Sequence, residues 1–171
     1  YYGMGPNLHP YLREMYDEVL SRYDVFAVSE GSGSTFEDAH SLVDPERREL
    51  QMVYHFEGMD IGNSLDGYTL AEFKETYSRW DSAFSEKGWL SIFLANHDVP
   101  RMVSKFGNDD PAYREVSAKM LNTFILSMRG TPYCYFGDEL GMTNIDFPTI
   151  DRYQDVAALN SYKKAQAEGK D

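Results

Sequence analysis

Four short apolar runs alternate along the chain with longer stretches whose apolar residues recur every three or four positions. The runs cover residues 25–28, 51–56, 90–95 and 132–136. Each has the length of a strand, and near-continuous apolar character marks strands covered on both faces. Between His9 and Tyr23, the residues Leu12, Met15, Tyr16, Val19, Leu20 and Tyr23 fall on one helical face, with Pro10 suited to a first turn. Ser34 to Glu37 and Thr69 to Glu72 both match a capping box. The second box opens a helix carrying Phe73, Tyr77, Trp80 and Phe84 on one side. Asp110 and Pro111 begin a long helix with Tyr113, Val116, Met120, Leu121, Phe124 and Met128, and Gly130 stops it. The tail from Asn144 is polar, with a helix expected from Ser161 to Glu168.

No turn signal joins neighbouring runs into a hairpin, so the alternation reads as βα units and predicts a parallel sheet. The fold class is α/β. Four strands make half of an eight-stranded barrel, or alternatively a small doubly wound sheet. No repeat, low-complexity tract or linker interrupts the chain, which is one domain or part of one.

The strand ends carry the candidate chemistry. Trp89 to Ala95 runs directly into Asn96, His97 and Asp98, and Val25 to Val28 runs into Ser29 and Glu30 ahead of Gly31 and Gly33. In a parallel α/β barrel the C-terminal strand ends are where chemistry is done, while strand middles fill the core. Two strands each tipped with a carboxylate suit glycoside cleavage. Burial of Glu30 against aromatics would raise its pKa and fit it to a general acid. A plain loop acid is the competing reading.

His97 can donate to a sugar hydroxyl and Asp98 can grip two, with Arg101 expected to balance their charge in a buried cluster. The same pair would also suit nucleophilic catalysis or a metal. However, no Gly-x-Ser-x-Gly turn is present, and no further His stands at ligand spacing. His55, Glu57, Asp138 and Glu139 end the other two runs and read as supporting groups. Asp60 follows a polar break and is rejected as a nucleophile. His9 and His40 read as surface residues.

Composition narrows the partners. Of the 171 residues, Asp and Glu number 28 against 16 Lys and Arg, for a formal charge of −12. Neither a nucleic-acid backbone nor an anionic membrane suits that balance, whereas a neutral sugar does. No stretch approaches the ~18 apolar residues of a membrane span. Cys134 is the single cysteine and can form no internal disulfide. The chain begins at Tyr1 with no initiator Met or charged leader, as if cut from something longer.

Three segments together resemble a known family: residues 24–30, residues 93–108 and residues 130–144, with residues 151–160 adding a further match. In that order, they look like the α-amylase superfamily of glycoside hydrolases, in its α-glucosidase and oligo-1,6-glucosidase branch. The resemblance implies a parallel (β/α)8 TIM-type barrel, of which residues 1–171 supply about strands five to eight. The upstream half and a C-terminal β-sandwich would lie outside.

It implies Glu30 as the general acid/base, Asp98 as the carboxylate that stabilises the transition state, and His97, Arg101 and Asn96 as substrate-binding residues. Such enzymes retain anomeric configuration, with the two reacting carboxyls roughly 5 Å apart. The family's nucleophile is an Asp in a Gly-Phe-Arg-x-Asp pattern, which this chain lacks. The chain alone is therefore expected to be inactive. No cofactor is expected on it, because a family calcium site would also lie outside. Its expected ligand is a small oligosaccharide.

Two positions depart from the family pattern. Ser29 stands where Gly is usual, and Val99 where Gln is common. Both bear on substrate preference. A sucrose isomerase or trehalose synthase is a close variant of the reading. A non-catalytic glucosidase-like heavy chain of an amino-acid transporter is a distant one, disfavoured because Glu30 and Asp98 are both present.

Overall fold

Parallel strand pairing organises the chain, as the computed structural model shows for residues 3–31, 35–63 and 67–169. The strands are β1 (Val28–Ser29), β2 (Met52–Val53), β3 (Ser91–Ile92) and β4 (Thr131–Pro132). β1 pairs with β2 in the register Val28 to Met52, and β3 with β4 in the register Ser91 to Thr131. A single parallel bridge between Val53 and Leu90 joins the two pairs. The order is therefore β1-β2-β3-β4, each strand beside its sequence neighbour.

The ladders run past the named ends, with Gln51 N–H donating to Ala27 O (3.0 Å), Tyr54 N–H to Ser29 O (3.0 Å) and Tyr133 N–H to Ile92 O (2.8 Å). The regular pairing is thus shorter than the apolar runs that announced it. Val25 and Phe26 are extended in sequence character but more than half exposed.

Helices fill the intervals. They are α1 (Leu8–Glu18), α2 (Phe36–Val43), α3 (Glu57–Asp60), α4 (Leu70–Ala83), α5 (Met102–Phe106), α6 (Arg114–Ser127) and α7 (Val156–Ala167). The expected capping box at Thr69 and Glu72 forms as read. The other is displaced by one residue: Thr35 and Asp38 close it, because Asp38 is the side chain that reaches back to the N-cap amide. Ser34 lies outside the described residues.

The first helix ends before Tyr23, breaking at Val19 into a 3-10 turn over Leu20–Arg22. The long helix starts at Arg114, since residues 111–113 form a turn capped by the Asp110 carboxylate on Ala112 N–H (2.8 Å). The last helix begins earlier than expected, at Val156, where the Asp155 side chain accepts from Ala158 N–H (2.6 Å).

One apolar cluster lies between strands and helices. Period-two alternation explains its membership. Val53, Ile92 and Leu94 point into the helical layer with Phe84, Trp80, Val103 and Ile125. Tyr54, Phe93 and Tyr133 point to the other face and pack edge-on, with centroids 5.4 Å (Tyr54–Phe93) and 5.1 Å (Tyr54–Tyr133) apart. That second face of the sheet forms the site.

Candidate functional site

A cavity of about 410 Å³ opens over this aromatic face, with Glu30, Tyr54, Phe93, Asn96, His97 and Tyr133 among its walls. Glu30 follows β1, and the Asn96–His97 pair follows β3, so both arrive at the C-terminal ends of parallel strands. The floor is built by alternation. Tyr54 and Phe93 are the next outward-facing positions beyond β2 and β3, and both line the cavity. Burial and a hydrogen bond with Tyr133 hold the Tyr54 phenol far above its ordinary range, so it remains a neutral donor.

Sequence reasoning passed over both tyrosines. The signal that could have found them is their placement within apolar runs, at the parity that faces away from the helices.

Glu30 is exposed, which corrects the expectation of a carboxyl buried against aromatics. Aromatic residues share the cavity with it, but Glu30 itself stays exposed. His97 and Asp98 are also solvent-facing, with side chains 73% and 66% exposed, and pair through Nε2 and Oδ2 at 3.3 Å. This corrects the reading of a buried cluster. Asp98 stands beside the cavity rather than on its wall. The structure thus brings Glu30, Asn96 and His97 to one cavity, with Asp98 at its rim through His97.

Arg101 belongs to an adjoining depression of about 390 Å³ that shares Asn96 and His97 with the first. Its guanidinium does not balance the His97–Asp98 pair. It donates to Phe136 O and stacks over the rings of Phe136 (4.7 Å) and Tyr135 (5.2 Å). Its backbone N–H donates to Asn144 Oδ1 (2.8 Å), while Asn144 N–H donates to Ser104 Oγ (2.9 Å). The loops after β3 and β4 are stitched together by these contacts.

Asn96 has a local task as well. Its Oδ1 accepts from Asp98 N–H (2.8 Å), and its Nδ2 lies 3.3 Å from Met59 Sδ. The first bond is the turn an Asn makes with the backbone two residues on.

Two of the groups read as supporting, Glu57 and Asp138, make structural contacts. Glu57 accepts from Trp80 Nε1 (2.7 Å) and pairs with Arg79. Asp138 is 1% exposed, and burial raises its pKa while Tyr135 N–H and Arg101 act against that. His9 and His40, by contrast, are not plain surface residues. His9 Nδ1 lies 2.7 Å from the buried Glu49 carboxylate, and His40 stacks on Phe84 at 4.3 Å. Cys134 is exposed rather than enclosed in its apolar run.

Among the described residues no group of three or more His, Cys, Asp or Glu could hold a metal. No described helix is long and apolar enough to cross a membrane.

Comparison with known proteins finds relatives over nearly the whole chain. The chain is 48% identical over 170 residues to an oligo-1,6-glucosidase of Parageobacillus thermoglucosidasius, covering 96% of this chain and 30% of that protein. An oligo-1,6-glucosidase of Bacillus cereus is likewise 48% identical, over 98% of this chain and 31% of its own length. Among solved structures, the trehalose-6-phosphate hydrolase TreA of Bacillus licheniformis superimposes with a TM-score of 0.91 at 40% identity, over 98% of this chain and 31% of that one. A mutant of the trehalulose synthase MutB gives a TM-score of 0.89 at 40% identity, over 98% and 31%.

The chain therefore spans about a third of the length of the relatives it matches. The family described as "Alpha amylase, catalytic domain" matches residues 1–171 throughout. Parallel strands in sequence order, carboxylates at their C-terminal ends and that full-length match lead to one conclusion: this chain belongs to the α-amylase catalytic-domain family.

Proposed function

We propose that residues 1–171 are the part of an α-glucosidase catalytic barrel that carries about strands five to eight, acting on short α-glucosides by a retaining mechanism. The observation that supports it most is the shared cavity, where the acid after β1 faces the polar pair after β3. In this reading Glu30 protonates the glycosidic oxygen as the bond breaks, while a carboxylate from outside this chain attacks the anomeric carbon. Glu30 then removes a proton from the water that frees the sugar. Asp98 and His97 hold sugar hydroxyls, and the Asp98 charge stabilises the oxocarbenium-like transition state. Arg101 and Asn96 complete the substrate-binding wall. The exposure of Glu30 suits a site whose opposite wall comes from the rest of the barrel.

A second reading, transfer rather than hydrolysis, is favoured by the likeness to the trehalulose synthase MutB, a mutant of which has been solved in complex with the substrate sucrose.

The test is a chimera in which residues 1–171 replace the matched segment of the Parageobacillus oligo-1,6-glucosidase. The chimera should hydrolyse isomaltose and p-nitrophenyl α-glucoside. Glu30→Gln should lower kcat on isomaltose by about 10²- to 10⁴-fold, the range for a lost general acid. The loss should be smaller on the nitrophenyl substrate, whose leaving group needs less protonation. Asp98→Asn should cost both substrates about equally. Equal losses for Glu30→Gln on the two substrates would remove it from the acid role. When the chimera is given sucrose, accumulation of isomerised sucrose with little glucose would select the transfer reading.

A further inference from the structure

The segment after β2 (residues 56–63), which includes α3, and the loop after β3 (residues 96–101) are joined through Met59. Its thioether sulfur lies 3.3 Å from Asn96 Nδ2, and its carbonyl accepts from the ammonium of Lys105 on α5. Lys105 Nζ also donates to Asn63 Oδ1 at 2.8 Å. The Asn96 amide that touches Met59 is the same one whose oxygen holds Asp98 N–H at 2.8 Å. A continuous path therefore runs from Lys105 through Met59 and Asn96 to the backbone of Asp98.

Met59 is 8% exposed and Met102 and Phe106 on α5 are buried, so the path lies against packed core at Met59 and at its α5 end. Lys105 itself is only partly buried, with burial lowering its pKa and nearby Asp60 opposing that. Its ammonium nitrogen also lies over the Phe106 ring, 5.3 Å from the centroid.

We infer that Lys105 is a positioning residue: its ammonium and the Asn96 amide grip Met59 from opposite ends and thereby set the His97–Asp98 pair at the cavity rim. The physical reason is that His97 and Asp98 are exposed and lie on a loop, so neither is held by burial. Their placement depends on backbone bonds, and the Asp98 N–H bond is anchored only as well as Asn96 is. Asn96 in turn leans on a flexible thioether, which would shift if its own carbonyl were free. Lys105 supplies the charge-assisted bond that stops this.

A misplacement of about 1 Å in a reacting group can cost on the order of 100-fold in rate, so a strut remote from the substrate can matter to turnover. The inference rests on the proposed role of Asp98 at this site.

The test uses the same chimera with Lys105→Met, Lys105→Arg and, as a reference for the site itself, Glu30→Gln. Lys105→Met should lower kcat on isomaltose by about tenfold, with KM changed by less than about threefold, since the lost alignment is felt in the transition state. Lys105→Arg, which keeps a cationic donor of similar reach, should restore kcat to within about twofold. Hydrogen exchange should show faster exchange across residues 96–101 in Lys105→Met and not in Lys105→Arg.

Full kcat in Lys105→Met beside an inactive Glu30→Gln would overturn this inference and leave the site reading standing. So would a loss that Arg does not rescue. Retained activity in Glu30→Gln would overturn the site reading, and with it the role assigned to Lys105.

Discussion

His55 is the residue whose chemistry departs furthest from its sequence appearance. It is 2% exposed, neither ring nitrogen has a hydrogen-bond partner, and its ring stacks on Trp80 at 4.5 Å with Tyr77 and Phe93 alongside. Burial lowers its pKa from 6.5 to about 4, against a smaller opposing pull from Glu57. The folded state therefore keeps the imidazole neutral, while the unfolded chain binds a proton from about pH 6.5 downward. The contribution is fully present above pH 6.5 and is lost as pH falls toward 4.

The size of the lost contribution is of order 3 kcal/mol. Urea unfolding between pH 7 and pH 4.5 should show that decline, and His55→Phe should flatten it by keeping the stack without the titrating ring. Parallel pH slopes for the two proteins would contradict the assignment. Spacing marked His55 as a strand-end group, but the orphaned nitrogens follow from α4 folding over it, which no local pattern encodes.

Helix starts were legible to within a few residues where a side chain names its own backbone partner. Thr69 accepts from Glu72 N–H at 3.1 Å, within a single turn of chain, and the sequence alone shows it. Thr69→Ala should cost about 1 kcal/mol of unfolding free energy, as caps typically do, with cavity residues untouched. A change below a few tenths in chemical denaturation would show that the cap is redundant.

Strand ends were less legible, since pairing depends on a partner far along the chain. Gly130 illustrates the point. It adopts φ +145°, and a Cβ there would meet Leu90 O at 2.6 Å and Ile92 Cγ1 at 2.8 Å. Sequence reading saw a helix stop. The sheet adds a second requirement: a close approach that lets Thr131 N–H reach Leu90 O at 2.8 Å. Gly130→Ala should therefore destabilise by roughly 1–3 kcal/mol, more than a helix stop alone implies. Thermal unfolding of the variant would measure it.

Taken as one body, the molecule has a sheet with helices packed on one face and an aromatic, cavity-lined face on the other. A retaining glycosidase needs an attacking carboxylate as well as an acid. With Glu30 and Asp98 in the roles proposed, residues 1–171 expressed alone should release no glucose from isomaltose. Measurable turnover by the purified chain would show that a third carboxylate within it attacks.

The alternation of apolar runs with helical stretches determined the parallel α/β character and the strand-end location of Glu30, Asn96, His97 and Asp98, because periodicity and residue order are local. The tertiary structure alone decided that Glu30 and Asp98 are exposed, that Arg101 turns to Phe136 and Tyr135, and that Tyr54 and Tyr133 floor the cavity. Those outcomes depend on which segments meet across the sheet, and contacts between residues dozens of positions apart leave no trace in the spacing of either one.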